Sequence, residues 1–428
     1  MTRARALLQS IIGSVGGRAA TLLAPFLVMP VMLEHLGPRD FGVWMTAIAV
    51  TNIAQFADLG IGNGLLTRLS AAFARDDQDA IRADIASGYA VLCAVALPLV
   101  IAGLVLMTLA GPDVSPIYGA TLAAFAVSIP ASVIQRVLYA AQQVVRANMW
   151  QIAAAALSVG TTFAAIGAEW SGAAVVLAYA LVAPVMMVVA AIVTFVQRPE
   201  IAPRLAAISG SAVRSLMGLG SRFLVLAILT ATAMSADNII IAVQLGEAAV
   251  TDYAVPARLG SLLTLVVGTM MMPLWSTYGD AMARGEHGWV WGNARRMALI
   301  GFGAVLVVGT GLTLFIDPIL MLWMGRSFAD AAWIIGGLAV FSAITALTAP
   351  FNMILNAAGR TDVQIAAWAI YLVLALAAKW VLLPIAGILV LPFIDTLFYA
   401  LAIAPVMGVI ARRIANPAPP TSMTTGPQ

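Results

Sequence analysis

The sequence predicts an all-α polytopic membrane protein, with about twelve transmembrane helices in two pseudo-symmetric six-helix bundles around a central cavity. Three observations carry that prediction. Hydrophobic residues make up 62% of the chain and charged residues only 10%, against about 25% charged in an average soluble domain. Apolar runs of membrane-spanning length recur from end to end, continuous rather than alternating as barrel strands do, with no polar block large enough for a soluble domain. Finally, short segments of the first half recur in the second at nearly constant spacing.

Spans of roughly 20 residues or more, the length that crosses a hydrocarbon core about 30 Å thick, fall at 9–33, 42–67, 85–110, 115–138, 147–167 and 173–196. A second set follows at 215–243, 254–278, 297–316, 332–356, 363–384 and 388–411. Leu36-Gly37 and Arg75 recur as Leu245-Gly246 and Arg284 at an offset of 209, with Ala72 and Ala74 matching Ala281 and Ala283. Leu138 with Ala140-Ala141 recurs as Leu355 with Ala357-Ala358 at an offset of 217, a slip that the longer loop around 317–331 absorbs. An even number of spans per copy keeps both copies in one orientation, which predicts parallel repeats about an axis along the membrane normal. The expected domain limits are 1–196 and 215–413, with a connector at 197–214. A Pro- and Thr-rich tail at 414–428 is expected to be disordered.

Cations orient the spans. With the N-terminus cytoplasmic, Arg3, Arg5, Arg68, Arg75, Arg82, Arg146, Arg198, Arg204, Arg214, Arg284, Arg295, Arg296, Arg360, Arg412 and Arg413 all fall on the cytoplasmic side, and only Arg39 and Arg326 fall outside. This is the positive-inside pattern, and it places both termini in the cytoplasm. The N-terminal apolar run is too long for a secretory signal and contains Arg18, so it is expected to be a retained first helix.

Arg18, Arg136, Arg222, Arg258 and Lys379 lie within spans, where a charge is expensive and usually faces a cavity or a partner. In the first helix Arg18 follows Gly16-Gly17 and precedes Pro25 and Pro30, prolines that bend a helix by removing a donor and freeing a carbonyl. Arg222 holds a similar place in the seventh helix. Two such guanidinium groups suit a pyrophosphate, which they bind bidentately; the alternative is that both snorkel to the headgroups.

The stretch FADLGIGNGLLTRL, 56–69, lacks the third glycine and the strand context of a dinucleotide loop. Gly60 and Gly64 instead make a GxxxG packing face. Asp58 lies about 15 Å inside the second helix, counted from Arg68 at 1.5 Å per residue; it is either a structural acid or part of a proton-coupling site. Helix seven carries Thr230, Thr232, Ser235, Asp237 and Asn238, and Asp237 with Arg258 makes either a structural pair or a gate. Arg136 reads as a near-interface residue. Lys379 and Asp395, at similar distances either side of the turn near Gly387, read as a salt bridge within the last hairpin. Cys93 is the single cysteine, which excludes an intramolecular disulfide. No metal or nucleophile constellation is present, so neither an enzyme nor a cofactor is expected.

LEHLGPRDFGVW followed by FADLGIGNGLLTRLSAAFARDD resembles the first two helices and first cytoplasmic loop of bacterial polysaccharide transporters. These are the O-antigen (lipid-linked oligosaccharide) flippase branch of the multidrug/oligosaccharidyl-lipid/polysaccharide exporter superfamily. SADNIIIAVQLGEAAVTDYAVPARLGSL and ILNAAGRTDV are similar to that family's seventh-to-eighth and tenth-to-eleventh helix segments, so the resemblance covers most of the chain. It implies a V-shaped pair of bundles that carries an undecaprenyl-pyrophosphate-linked oligosaccharide across the bacterial inner membrane by alternating access, for O-antigen, capsule or exopolysaccharide synthesis. It also implies that Arg18, Arg222 and Arg258 engage the pyrophosphate or sugar. The expected partners are that lipid-linked substrate, the bilayer, and a polysaccharide polymerase with its chain-length regulator. No Walker motif is present to support ATP hydrolysis. The competing readings are a cation-coupled drug exporter of the same superfamily, against which the first helix offers an arginine and no carboxylate, and a non-transporting membrane scaffold.

Overall fold

The computed structural model describes residues 3–54, 61–109, 111, 115–218 and 221–415. Its first-repeat helices are α1 (Arg3–Ala54), α2 (Ile61–Ala74), α3 (Gln78–Thr108), α4 (Pro116–Ala131), α5 (Val133–Ala140), α6 (Val144–Gly167) and α7 (Gly172–Gln197). The short α8 (Gly210–Gly218) precedes α9 (Ser221–Leu245), α10 (Glu247–Ala283), α11 (His287–Leu314), α12 (Ile316–Met324), α13 (Ala331–Ala357), α14 (Thr361–Ala386), α15 (Leu391–Phe398) and α16 (Ala404–Ala415). No strand occurs among the described residues. Helices stand at each of the twelve expected spans, α1 supplying the first and part of the second, and α4 with α5 forming one bent span.

The turns reveal why the sequence repeats. α1 is interrupted by a kink at Gly37, whose φ of 72° and ψ of 168° suit glycine alone, and Gly246, φ 88°, separates α9 from α10 at the matching position. The left-handed residues Asp76 and Gly285 keep the same 209-residue offset, and Gln142 and Gly359 keep 217. Each pair closes a helix in the same way. Asp77 N–H donates to the Ala72 carbonyl at 3.1 Å and Glu286 N–H to Ala281 at 2.9 Å, while Gln143 N–H reaches Leu138 at 2.8 Å and Arg360 N–H reaches Leu355 at 2.9 Å. These six-residue closures satisfy carbonyls that a helix end leaves bare. The recurring Leu and Ala pairs are therefore the last helical turns before identical caps.

Contacts cluster into two compact units, Met1–Thr251 and Asp252–Gln428. In the first, α3 packs on α4, α1 on α6, and α7 on both α4 and α6, with α9 against α1. Backbones approach closely where small residues meet: a Cβ added to Gly119 would stand 2.5 Å from the Gly103 carbonyl oxygen, the kind of contact that drives helix association in lipid. Gly64 of the expected packing face meets α8 in the same manner, 2.9 Å from the Leu216 carbonyl, while Gly60 lies outside the described residues. In the second unit α11 lies along α13 around Leu263, Val305, Ala339 and Ala343.

Nine helical spans among the described residues are long and apolar enough to cross a membrane. The α4–α5 span is 67% buried and α13 is 61% buried, against 17–33% for the other seven, so these two equivalent spans are the most central of the nine. The outer spans turn Leu97, Ile101, Val307 and Leu314 outward, as lipid-facing surface requires.

Candidate functional site

The central span of the first repeat is broken where its sequence demands it. Pro130 has no N–H, and the Ser132 N–H divides itself between the Ser128 carbonyl at 3.0 Å and the Ile129 carbonyl at 3.3 Å, so the axis bends between α4 and α5. Opposite the bend stand Pro25 of α1 and Pro184 of α7. Pro184 cannot donate to the Ala180 carbonyl four residues earlier, which leaves an acceptor at a residue that borders the same space. Small residues on α6, Ala154, Ala155 and Ser158, complete a cavity of about 530 Å³ within the first unit.

Its lining is polar for the interior of a membrane bundle. Ser128, Ser132, Gln135, Gln151, Ser158 and Tyr179 border it, and Arg136 is the one charged side chain among the described lining residues. The three serines donate to carbonyls of their own helices, to Phe125 at 2.6 Å, Ile129 at 2.8 Å and Ala155 at 2.9 Å; each keeps acceptor capacity on its oxygen. Gln135 Nε2 donates to the Tyr139 hydroxyl at 3.0 Å. Tyr179 packs edge-on to Trp44 with centroids 5.6 Å apart. The Nε of Arg136 is buried without a hydrogen-bond partner among the described residues. Arg136 therefore lies against a cavity, not simply at the membrane interface where its sequence position suggests.

Arg18 lies in α1, about 10 Å along the helix from Pro25, and Arg222 lies in α9; the side chains of both fall outside the described residues, as does Asp58 entirely. Asp237 is buried in α9 of the first unit, 8% exposed, and Arg258 is half-buried in α10 of the second.

Lys379 and Asp395 do form the expected bridge between the last two spans. Nζ lies 2.7 Å from Oδ1 and 2.8 Å from Oδ2, and Lys379 is only 1% exposed. Tyr371 donates its hydroxyl to Asp395 Oδ1 at 2.6 Å. One turn of π-helix, Tyr399–Ile403, follows directly, and the Tyr399 and Thr348 hydroxyls share a hydrogen bond of 2.8 Å.

A second ion pair carries no signal that a reading of spans would catch. Asp84, 2% exposed, binds Arg68 at 2.7 Å, and Arg68 also donates to Ser215 at 2.8 Å. Asp84 stands just before the expected third span, but α3 begins earlier, at a cap where the Asp77 carboxylate accepts from Ala80 N–H at 3.0 Å. Of the cavity lining, Gln135, Gln151 and Tyr179 are uncharged, so no buried charge in the sequence marks them.

A family model described as "Polysaccharide biosynthesis protein" matches residues 7–277. None of the curated proteins compared with the chain matches it significantly. Among solved structures, an inward-facing multidrug resistance MATE family transporter of the MOP superfamily superposes with a TM-score of 0.77 at 16% identity, over 92% of this chain and 94% of that one. A MOP superfamily transporter from Pyrococcus furiosus, described as having a binding pocket of reversed polarity, gives 0.66 at 16% identity over 96% of both chains. A Vibrio cholerae MATE transporter gives 0.60 at 17% identity over 96% of this chain and 95% of that one. At such identities the likeness is one of fold.

Proposed function

The chain belongs to the polysaccharide biosynthesis protein family and has the fold of a multi-pass membrane transporter, and from that premise we propose that it is a lipid-linked oligosaccharide flippase. It turns undecaprenyl-pyrophosphate-linked repeat units from the cytoplasmic to the outer leaflet of the bacterial inner membrane, both termini cytoplasmic, supplying O-antigen, capsule or exopolysaccharide assembly. The observation that carries this reading is the polarity of the first-repeat cavity: hydroxyls, amides and one guanidinium, with no carboxylate among its described lining residues. A glycan headgroup cannot cross about 30 Å of hydrocarbon unaided, whereas its polyprenyl tail is at home there. Polar cavities within lipid-facing bundles meet both needs.

In this reading Arg18, Arg222 and Arg258 engage the pyrophosphate, since guanidinium groups stay charged and match phosphate oxygens bidentately. Asp58 and Asp237 carry coupling or gating. A cation-coupled drug exporter is the second reading, favoured by the MATE neighbours. The arginine in the first span and a cavity with no carboxylate among its described lining residues oppose it, because cationic drugs call for carboxylates.

The test uses purified protein in proteoliposomes with a fluorescent polyprenyl-pyrophosphate oligosaccharide, its exposure at the far leaflet being followed with and without proton and sodium gradients. Wild type flips it and Arg18→Ala does not, although the variant inserts normally. Transport of pyrophosphate-free cationic dyes instead would establish the exporter, and flipping indifferent to both gradients would remove Asp58 and Asp237 from coupling.

A further inference from the structure

Arg136 brings a cation to the cavity wall. A guanidinium remains charged at any physiological pH, and its Nε is a donor taken out of water with no acceptor among the described residues. Such a donor is unfavourable unless a ligand or water oxygen meets it. The surrounding wall says what kind of ligand fits. Among the lining residues, serine oxygens accept, the Gln151 amide can do both, and Tyr179 adds an aromatic ring. Acceptors, donors and an aromatic ring together suit the alternating hydroxyls and C–H faces of a pyranose. One cation, with no carboxylate among the described lining residues to neutralise it, suits an oxyanion. At about 530 Å³ the space is that of an ordinary small-molecule site, about 300–1,000 Å³; it takes one or two sugar rings, not a whole repeat unit with its lipid.

We propose that the first-repeat cavity is a subsite for one acidic sugar, a glycosyl phosphate or a hexuronate, whose oxyanion is held by Arg136. The proposal rests on the flippase reading for its purpose and deepens it. Arg18, Arg222 and Arg258 are assigned there to the pyrophosphate, and Arg136 adds a contact at the sugar end of the headgroup. The oxyanion has two sources, the phosphate at the reducing end of the glycan or a carboxylate further along it.

Equilibrium binding of water-soluble sugars to the purified full chain in nanodiscs tests this. Isothermal titration is run with glucose 1-phosphate, glucuronate and glucose against wild type, Arg136→Gln, Arg136→Lys and Ala154→Tyr. At least one acidic sugar should bind wild type about tenfold or more tightly than glucose, the discrimination expected of one charge-assisted hydrogen bond or more. Arg136→Gln should abolish that preference and Arg136→Lys should keep part of it. Ala154→Tyr, which occupies the cavity and leaves Arg136 in place, should weaken binding of all three sugars. A response to glucose 1-phosphate alone assigns the oxyanion to the linkage phosphate, and one to glucuronate alone assigns it to an acidic sugar of the repeat unit. Equal binding of acidic and neutral sugars by wild type, or a preference that survives Arg136→Gln, overturns the proposal. The two readings fail separately: acidic-sugar binding without lipid flipping sinks the flippase, and flipping without a sugar preference sinks the subsite.

Discussion

Matched by the 217-residue offset of their caps, Ala131, Gln135, Gln151 and Ala154 of the first repeat correspond to Thr348, Asn352, Trp368 and Tyr371 of the second. The first four border a cavity. In the second set, Trp368 and Tyr371 meet Tyr399 in an edge-to-face cluster with centroids 5.4 to 6.1 Å apart, and Thr348 bonds to Tyr399. One architecture thus carries opposite contents around its two central helices. Exchanging alanine for tyrosine and glutamine for tryptophan converts a polar hollow into a packed wall, since aromatic side chains bury large areas and pack with specific geometry. Two of the charges follow the same division: the Nε of Arg136 has no acceptor among the described residues, whereas Lys379 is held by Asp395. A duplicated bundle can therefore keep a polar hollow in one copy and a braced, packed wall in the other.

Removing one member of the Lys379–Asp395 pair tests the bracing most severely. Asp395→Leu leaves a buried ammonium without its counter-ion, and the expected loss is about 3–5 kcal/mol of unfolding free energy in detergent. Adding Lys379→Met to that variant should recover most of the loss, because two apolar side chains of similar volume carry no desolvation penalty. If the single variant were as stable as wild type, the second repeat would not be braced by charge at all.

Tyr371→Phe makes a smaller cut in the same place. Asp395 keeps its lysine and loses only the 2.6 Å hydrogen bond from the tyrosine hydroxyl, for an expected cost of about 1.5–3 kcal/mol. The ring and its contacts with Trp368 and Tyr399 remain. A loss matching that of Asp395→Leu would mean that the hydroxyl, not the ammonium, holds the acid in place.

How much of this the sequence discloses depends on what each feature is made of. The spans are legible because membrane helices must be long and apolar, and the last-hairpin bridge because two opposite charges in such spans have few alternatives. The cavity is illegible for the converse reason. It is built from Ala154, Ala155 and Ser158, residues that elsewhere simply pack helices closely, and a hollow has no residue type of its own. Arg136 was visible as a charge, but depth along one helix does not distinguish an interface from an internal wall. Asp84 escaped because its helix starts about two turns before the hydrophobic run does.

The smallest effect tests the register on which the comparison depends. Gln142 and Gly359 both occupy left-handed backbone, φ 57° and 70°, after the same cap. A side chain in that region costs about 1–2 kcal/mol, partly offset because glycine has more unfolded-state freedom to lose. Gly359→Gln should therefore lower stability by about 0.5–1 kcal/mol, and Gln142→Gly should raise it by a similar or smaller amount, read as opposite shifts in thermal midpoint. The signs matter more than the sizes. Both variants shifting the same way would mean that the two turns are not equivalent, and the pairing of Ala154 with Tyr371 would lose its footing, since both positions are counted from those turns.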